Sequence, residues 1–189
     1  MRSLYTSTAP AIEPVSVDEA KVFCRIDTTE DDALIASLIT AARQASEHYT
    51  GRSYITQTLT YVLDTNSRFI PLPMPPFGAV STVKCLASGT WTTKTVSTDY
   101  RSDKRGEAGV VTLLTNPSID DRGLATVEIV YTAGYGAAAA SVPAALKEAI
   151  KHRVAAMYER RGEPIEGAAS SDARRLEAPY KLMTVGAGL

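Results

Sequence analysis

The chain has 189 residues, 44% of them hydrophobic, and carries 20 basic against 21 acidic side chains. That apolar content supports a folded core, and the even charge argues against a general DNA-coating role, whose affinity comes from neutralising phosphates. Cys24 and Cys85 fit no metal or disulfide spacing and read as reduced, partly buried thiols; with no secretory apolar core at the start and no apolar run near the ~20 residues of a bilayer span, a soluble chain made in a reducing cytoplasm is expected, with no membrane contact.

Residues 1–15 are poor in core formers, contain Pro10 and Pro14, and read as an extended arm. Ser16 and Glu19 stand at capping-box spacing, which predicts a short helix over 17–25 using Ala20, Phe23 and Cys24 on its apolar side. Thr28, Thr29, Glu30, Asp31 and Asp32 open a second helix, through hydroxyl caps and acids at the positive end of the dipole. Leu34, Ile35, Leu38, Ile39, Ala42, Ala45 and Tyr49 recur at helical spacing, and Gly51 supplies a left-handed stop.

The middle alternates with period two. Strands are predicted over 55–63, 80–86, 91–96, 110–114 and 125–132, with a proline-interrupted edge segment at 69–73. Turn chemistry separates them at Ser88-Gly89, Arg105-Gly106, Asn116-Pro117 and Arg122-Gly123. Ala133-Gly134-Tyr135-Gly136 and the alanines after it read as a joint. A third helix is predicted from Ser141 and Pro143 to about Arg161, with Leu146, Ala149, Ile150, Val154, Met157 and Tyr158 as its buried stripe. Gly162 and Pro164 end it, Gly167 to Ser171 form a linker, and a short last helix is predicted from Asp172 to about Thr184.

The expected fold class is α+β: an α-helical bundle of two long helices with short N- and C-terminal helices, and a small β-domain inserted into it. The expected boundaries are an arm at 1–15, a discontinuous bundle at 16–53 and 137–165, an inserted β-domain at 54–136, and a linker with a docking segment at 166–189. The core expected between the long helices comprises Leu34, Leu38, Ala42, Tyr49, Leu146, Ile150, Val154 and Met157.

Catalytic constellations are not evident. Neither His48 nor His152 lies in a nucleophile motif. Glu148 and His152 are four apart on a helix, half of a metal-site geometry that lacks a further ligand, and a helix-stabilising pair accounts for them. The acids at 30–32 suit a helix start and Asp120-Asp121 an exposed turn, and no phosphate loop or dinucleotide fingerprint is present. No catalytic residue, metal site or cofactor is therefore expected. Lys147, Lys151, Arg153, Arg160 and Arg161, continued by Arg174, Arg175 and Lys181, make the third helix basic. A solvated face explains this pattern; a surface for an acidic partner or for DNA is the sharper alternative.

Several marks together resemble the phage head–tail connector (adaptor, or head-completion) proteins, which also occur in gene transfer agents. They are Glu13-Pro14, Glu19-Ala20-Lys21, Arg25-Ile26-Asp27, Asp31-Asp32, Ala41-Ala42-Arg43, Tyr49-Thr50-Gly51-Arg52 with Thr56-Gln57, Ala133-Gly134-Tyr135-Gly136, Val142-Pro143, Tyr158-Glu159-Arg160-Arg161-Gly162 and Pro179-Tyr180. The resemblance implies a non-enzymatic virion neck protein, assembled in the host bacterial cytoplasm. It implies a homo-oligomeric ring of twelve copies under the portal protein, joined to a stopper or tail-completion protein, with genomic DNA passing through the lumen. It also implies portal contact through the C-terminal segment, here Leu176, Pro179, Tyr180, Leu182 and Met183. The flanks of the long helices suggest a subunit interface of Arg43 and Glu47 against Lys147 and Lys151 of a neighbour. The alternatives are a stopper or tail-completion neck protein and a DNA-binding accessory module using the basic helix over 143–161.

Overall fold

A computed structural model of the chain describes residues 2–87, 89–115, 124–160 and 171–182. The chain divides into two compact units, one made of Met1–Ala11 with Thr56–Tyr135, the other of Ile12–Ile55 with Gly136–Leu189.

Among the described residues the first unit holds eight strands: β1 (Arg2–Thr8), β2 (Gln57–Thr65), β3 (Phe69–Leu72), β4 (Phe77–Ala87), β5 (Thr90–Thr93), β6 (Tyr100–Arg105), β7 (Ala108–Leu113) and β8 (Ala125–Ala133). They form a five-stranded sheet in the order β1-β2-β8-β4-β5 and a three-stranded sheet in the order β3-β7-β6, with antiparallel pairing throughout. Period-two alternation sets the register. In β8 every second residue is buried, and Val127, Ile129 and Tyr131 stand opposite Leu63, Tyr61 and Leu59 of β2. Val83 and Cys85 of β4 face Ile129 and Val127 from the other side. Ile70 and Leu72, Val111 and Leu113, and Tyr100 complete the core from the second sheet.

Two close fits organise this core. The Tyr131 hydroxyl donates to the Pro73 carbonyl at 2.7 Å, and burial pushes its pKa well up. Phe77 lies over Gly109, where a β-carbon would stand 2.4 Å from Cδ2 of the ring, so the strand needs glycine there. The β6–β7 hairpin turns through Gly106 at φ +64°, as Arg105-Gly106 predicts.

The second unit holds the helices α1 (Val17–Cys24), α2 (Asp32–Thr50), α3 (Ala144–Glu159) and α4 (Ser171–Glu177), with 3-10 turns at Ala139–Ser141 and Ala178–Tyr180. The capping box predicted at Ser16 and Glu19 is present: Glu19 N–H donates to Ser16 Oγ at 3.1 Å, and Ser16 N–H donates to the Glu19 carboxylate at 2.8 Å. That backbone hydrogen bond, aided by Lys147, lowers the Glu19 pKa despite partial burial. Gly51 ends α2 in the left-handed region at φ +70°. The start of α2 differs from expectation. Its cap is Asp31 with no side-chain capping bond, and the Asp31 carboxylate instead accepts a hydrogen bond from the Tyr158 hydroxyl.

The expected fold class is overturned. The chain is β-rich, with five- and three-stranded antiparallel sheets and more residues in strands than in α-helices among those described. It is not a bundle of two long helices carrying a small insert. The reason lies in β1 and β6. Every residue of β1 is exposed, as is all of β6 after Tyr100, so neither carries the alternation that marks a half-buried strand. Segments read as arm and loop are therefore sheet.

Candidate interaction surfaces

Charged side chains expected on the surface of the helical unit lie inside it. Arg43 is 4% exposed and Glu47 is 5% exposed. Arg43 Nη1 donates to Glu47 at 2.7 Å and its Nε donates to Glu13 at 2.7 Å, while Glu47 also accepts the Tyr54 N–H at 2.8 Å. Burial opposes the guanidinium charge, but hydrogen bonding to Glu13 and the field of both carboxylates outweigh it and raise the pKa. A carboxylate–guanidinium–carboxylate cluster within the unit thus engages Arg43 and Glu47, the two residues expected at a subunit edge. The other half of that interface is also engaged at home, with Lys147 3.5 Å from Glu19 and Lys151 paired to Glu148.

The sequence reading missed this cluster because Glu13 lies 30 residues from Arg43 and no local pattern links them. Of the helix-core residues named above, Ala42, Leu146, Ile150 and Val154 are buried, while Leu34, Leu38, Tyr49 and Met157 are half-buried. Ile35 and Ile39 are the fully buried large side chains of α2.

The C-terminal segment has a place in the helical unit. Glu177 is fully buried and receives Arg153 in two hydrogen bonds, Nε to Oε1 at 2.9 Å and Nη2 to Oε2 at 2.6 Å. Arg153 therefore does not belong to a solvated basic face. Beyond α4 the chain returns to the end of α2. Leu182 N–H donates to the Thr50 carbonyl at 2.9 Å, and Arg52 Nε donates to the Tyr180 carbonyl. Lys181 Nζ sits 4.7 Å from the centroid of the Tyr49 ring. Of the five residues assigned to portal contact, Leu176 and Tyr180 are half-buried, Pro179 and Leu182 are exposed, and Met183 lies outside the described residues. Arg174, Arg175 and Lys181 are exposed beside them.

The chemistry-bearing residues named from sequence are dispersed. His48 is exposed on α2, and His152 packs edge-on to Phe23 with ring centroids 5.0 Å apart. Glu148 pairs with Lys151, and Asp32 with Lys21 at 2.7 Å. Asp120 and Asp121 lie outside the described residues, as does Arg161. Among the described residues no group of three or more His, Cys, Asp or Glu could hold a metal, and no helix is long and apolar enough to cross a membrane. Both cysteines are free, and burial raises the pKa of each.

On the strand unit four exposed apolar side chains stand on edge strands, Leu4 and Tyr5 on β1, Phe69 on β3 and Trp91 on β5, while Val96 is exposed outside any strand. Of the usual guards of an open edge, β1 has no proline but carries one charged side chain, Arg2, and a register irregularity between Thr6 and Thr8.

No curated protein matches the chain. Solved chains from gene transfer agent particles do. One, from the neck of an empty particle computed with C6 symmetry, is 25% identical at a TM-score of 0.79, with 98% of each chain covered. A second, from the virion of a native particle, is 25% identical at 0.73, again over 98% of each chain. A third, from the neck of a native particle computed with C12 symmetry, is 23% identical at 0.70 over 98% of each chain and shares the fold. The family model described as head completion protein matches residues 13–185, and the chain belongs to that family.

Proposed function

We propose that this chain is a structural subunit of the neck of a tailed phage or phage-like particle, an adaptor ring between portal and tail and not a catalyst. One observation carries the reading. Its likeness to a chain in a gene transfer agent neck runs over 98% of both chains at a TM-score of 0.79, so both units contribute to it. A neck computed with C12 symmetry supports a ring of twelve copies, which requires a head-to-tail contact repeated until the rotation closes. Each weak contact gains effective concentration once neighbours sit on a common platform, so a monomer in free solution is compatible with the role.

The near-even charge, 20 basic to 21 acidic, suits a lumen that lets genomic DNA pass without gripping its phosphates. The C-terminal segment is the surface assigned to the portal, through Leu176, Pro179, Tyr180, Leu182 and Met183. Electron-microscopic imaging of purified portal mixed with this protein tests the reading. A ring of twelve on one end of the portal is expected. Bare portals at saturating protein would overturn it.

A further inference from the structure

We infer that the turn closing α2, residues 49–52, is a recognition site for the chain's own C-terminal segment and sets the position of residues 180–182. Four consecutive residues each make one contact with the stretch 180–182. The Tyr49 ring lies beneath the Lys181 ammonium at 4.7 Å. The Thr50 carbonyl accepts the Leu182 N–H at 2.9 Å. Gly51 leaves the space that Leu182 fills: a β-carbon there would stand 3.3 Å from Leu182 Cδ1. Arg52 donates to the Tyr180 carbonyl.

The physical logic runs both ways. The last carbonyls of a helix have no partner within it, and the returning chain supplies one to Thr50. The left-handed residue at Gly51 turns the backbone out of the helix, and Arg52 beyond it reaches the Tyr180 carbonyl. Two of the four contacts go to backbone and fix register. The other two select a cation at Lys181 and an apolar side chain at Leu182. Upstream, the buried Arg153–Glu177 pair holds α4 independently, so the segment is pinned at two points. Pro179, Arg174 and Arg175 then stand exposed on a defined platform. The final step, that this platform meets the portal, rests on the function proposed above; the clasp itself does not.

Hydrogen exchange on the full-length protein tests the clasp, with the Leu182 amide as a direct reporter and α3 as the control for folding. Arg52→Ala and Leu182→Asp are each expected to speed exchange across 178–182 on the order of tenfold or more, and Lys181→Ala about two- to fivefold, with α3 unchanged. Should Arg52→Ala also loosen α3, the two variants on the exposed side of the contact decide the matter. Wild-type exchange in Lys181→Ala and Leu182→Asp would overturn the inference. Portal binding by the same variants separates the two ideas: release with loss of binding supports both, whereas release with full binding keeps the clasp and removes the portal assignment.

Discussion

Arg153 and Glu177 meet as two parallel hydrogen bonds between fully interior side chains, 24 residues apart in the chain. The pair fastens α4 to α3, and each charge depends on the other for its solvation. Removing one partner strands the other in a poorly solvated site. Glu177→Ala is expected to cost about 3–5 kcal/mol, while the double replacement Arg153→Met with Glu177→Leu costs far less. Urea unfolding followed by far-UV circular dichroism reads both, and equal losses in the two variants would contradict the argument.

Gly109 faces a different constraint, that of space. A β-carbon at this position meets three atoms of Phe77 within 2.9 Å, and the ring is wedged between the two sheets. Gly109→Ala is expected to destabilise by about 1–3 kcal/mol through overpacking. Adding Phe77→Leu, which withdraws the ring, should recover part of the loss. Thermal unfolding of the single and double variants gives the comparison, and additive losses would show that the two residues are not coupled.

These two sites also show what the sequence could and could not reveal. The helical stripe of α2, the capping box at Ser16, the stop at Gly51 and the alternation in β2 and β8 are local patterns, and local patterns are legible. Arg43, Glu47 and Arg153 look like surface charges on any helical wheel. Only Glu13 and Glu177, distant in sequence, make them interior residues. β1 and β6 failed for the opposite reason: a strand wet on both faces carries no periodicity to read. Missing them left β1 as an arm and β6 as a loop, and made a two-sheet unit look like a small insert. The clasp at 49–52 was visible only as a family-like motif, because its partner lies some 130 residues away.

The capping box gives a pH dependence with a definite sign. The Ser16 backbone N–H bound to the Glu19 carboxylate favours the charged form, so the folded pKa lies below the unfolded value of about 4.3. The stabilisation is complete above that unfolded value and disappears as pH falls through the lowered folded one. Protection of α1 amides should therefore decline on acidification through this window, and in Glu19→Gln the decline should be smaller. Ser16→Ala removes the other half of the box and is expected to cost about 1 kcal/mol at neutral pH. Hydrogen exchange in α1 across a pH series reads both effects. An identical pH profile in Glu19→Gln would rule out the carboxylate as its source.

Ser46 tests the same bookkeeping from the other direction. It is fully buried on α2, and its hydroxyl is the one buried side-chain polar atom without a hydrogen-bond partner among the described residues. Its neighbour Thr50, by contrast, donates to the Ser46 carbonyl at 2.8 Å. An unpaired hydroxyl in an apolar interior costs desolvation with nothing returned, whereas alanine also has the higher helix propensity. Ser46→Ala should leave stability unchanged or raise it by up to about 1 kcal/mol, while most buried substitutions lower it. Denaturant titration of the variant beside wild type supplies the measurement. A loss beyond about 1 kcal/mol would mean that the hydroxyl is engaged after all, by ordered water or by a neighbouring copy in the assembled ring.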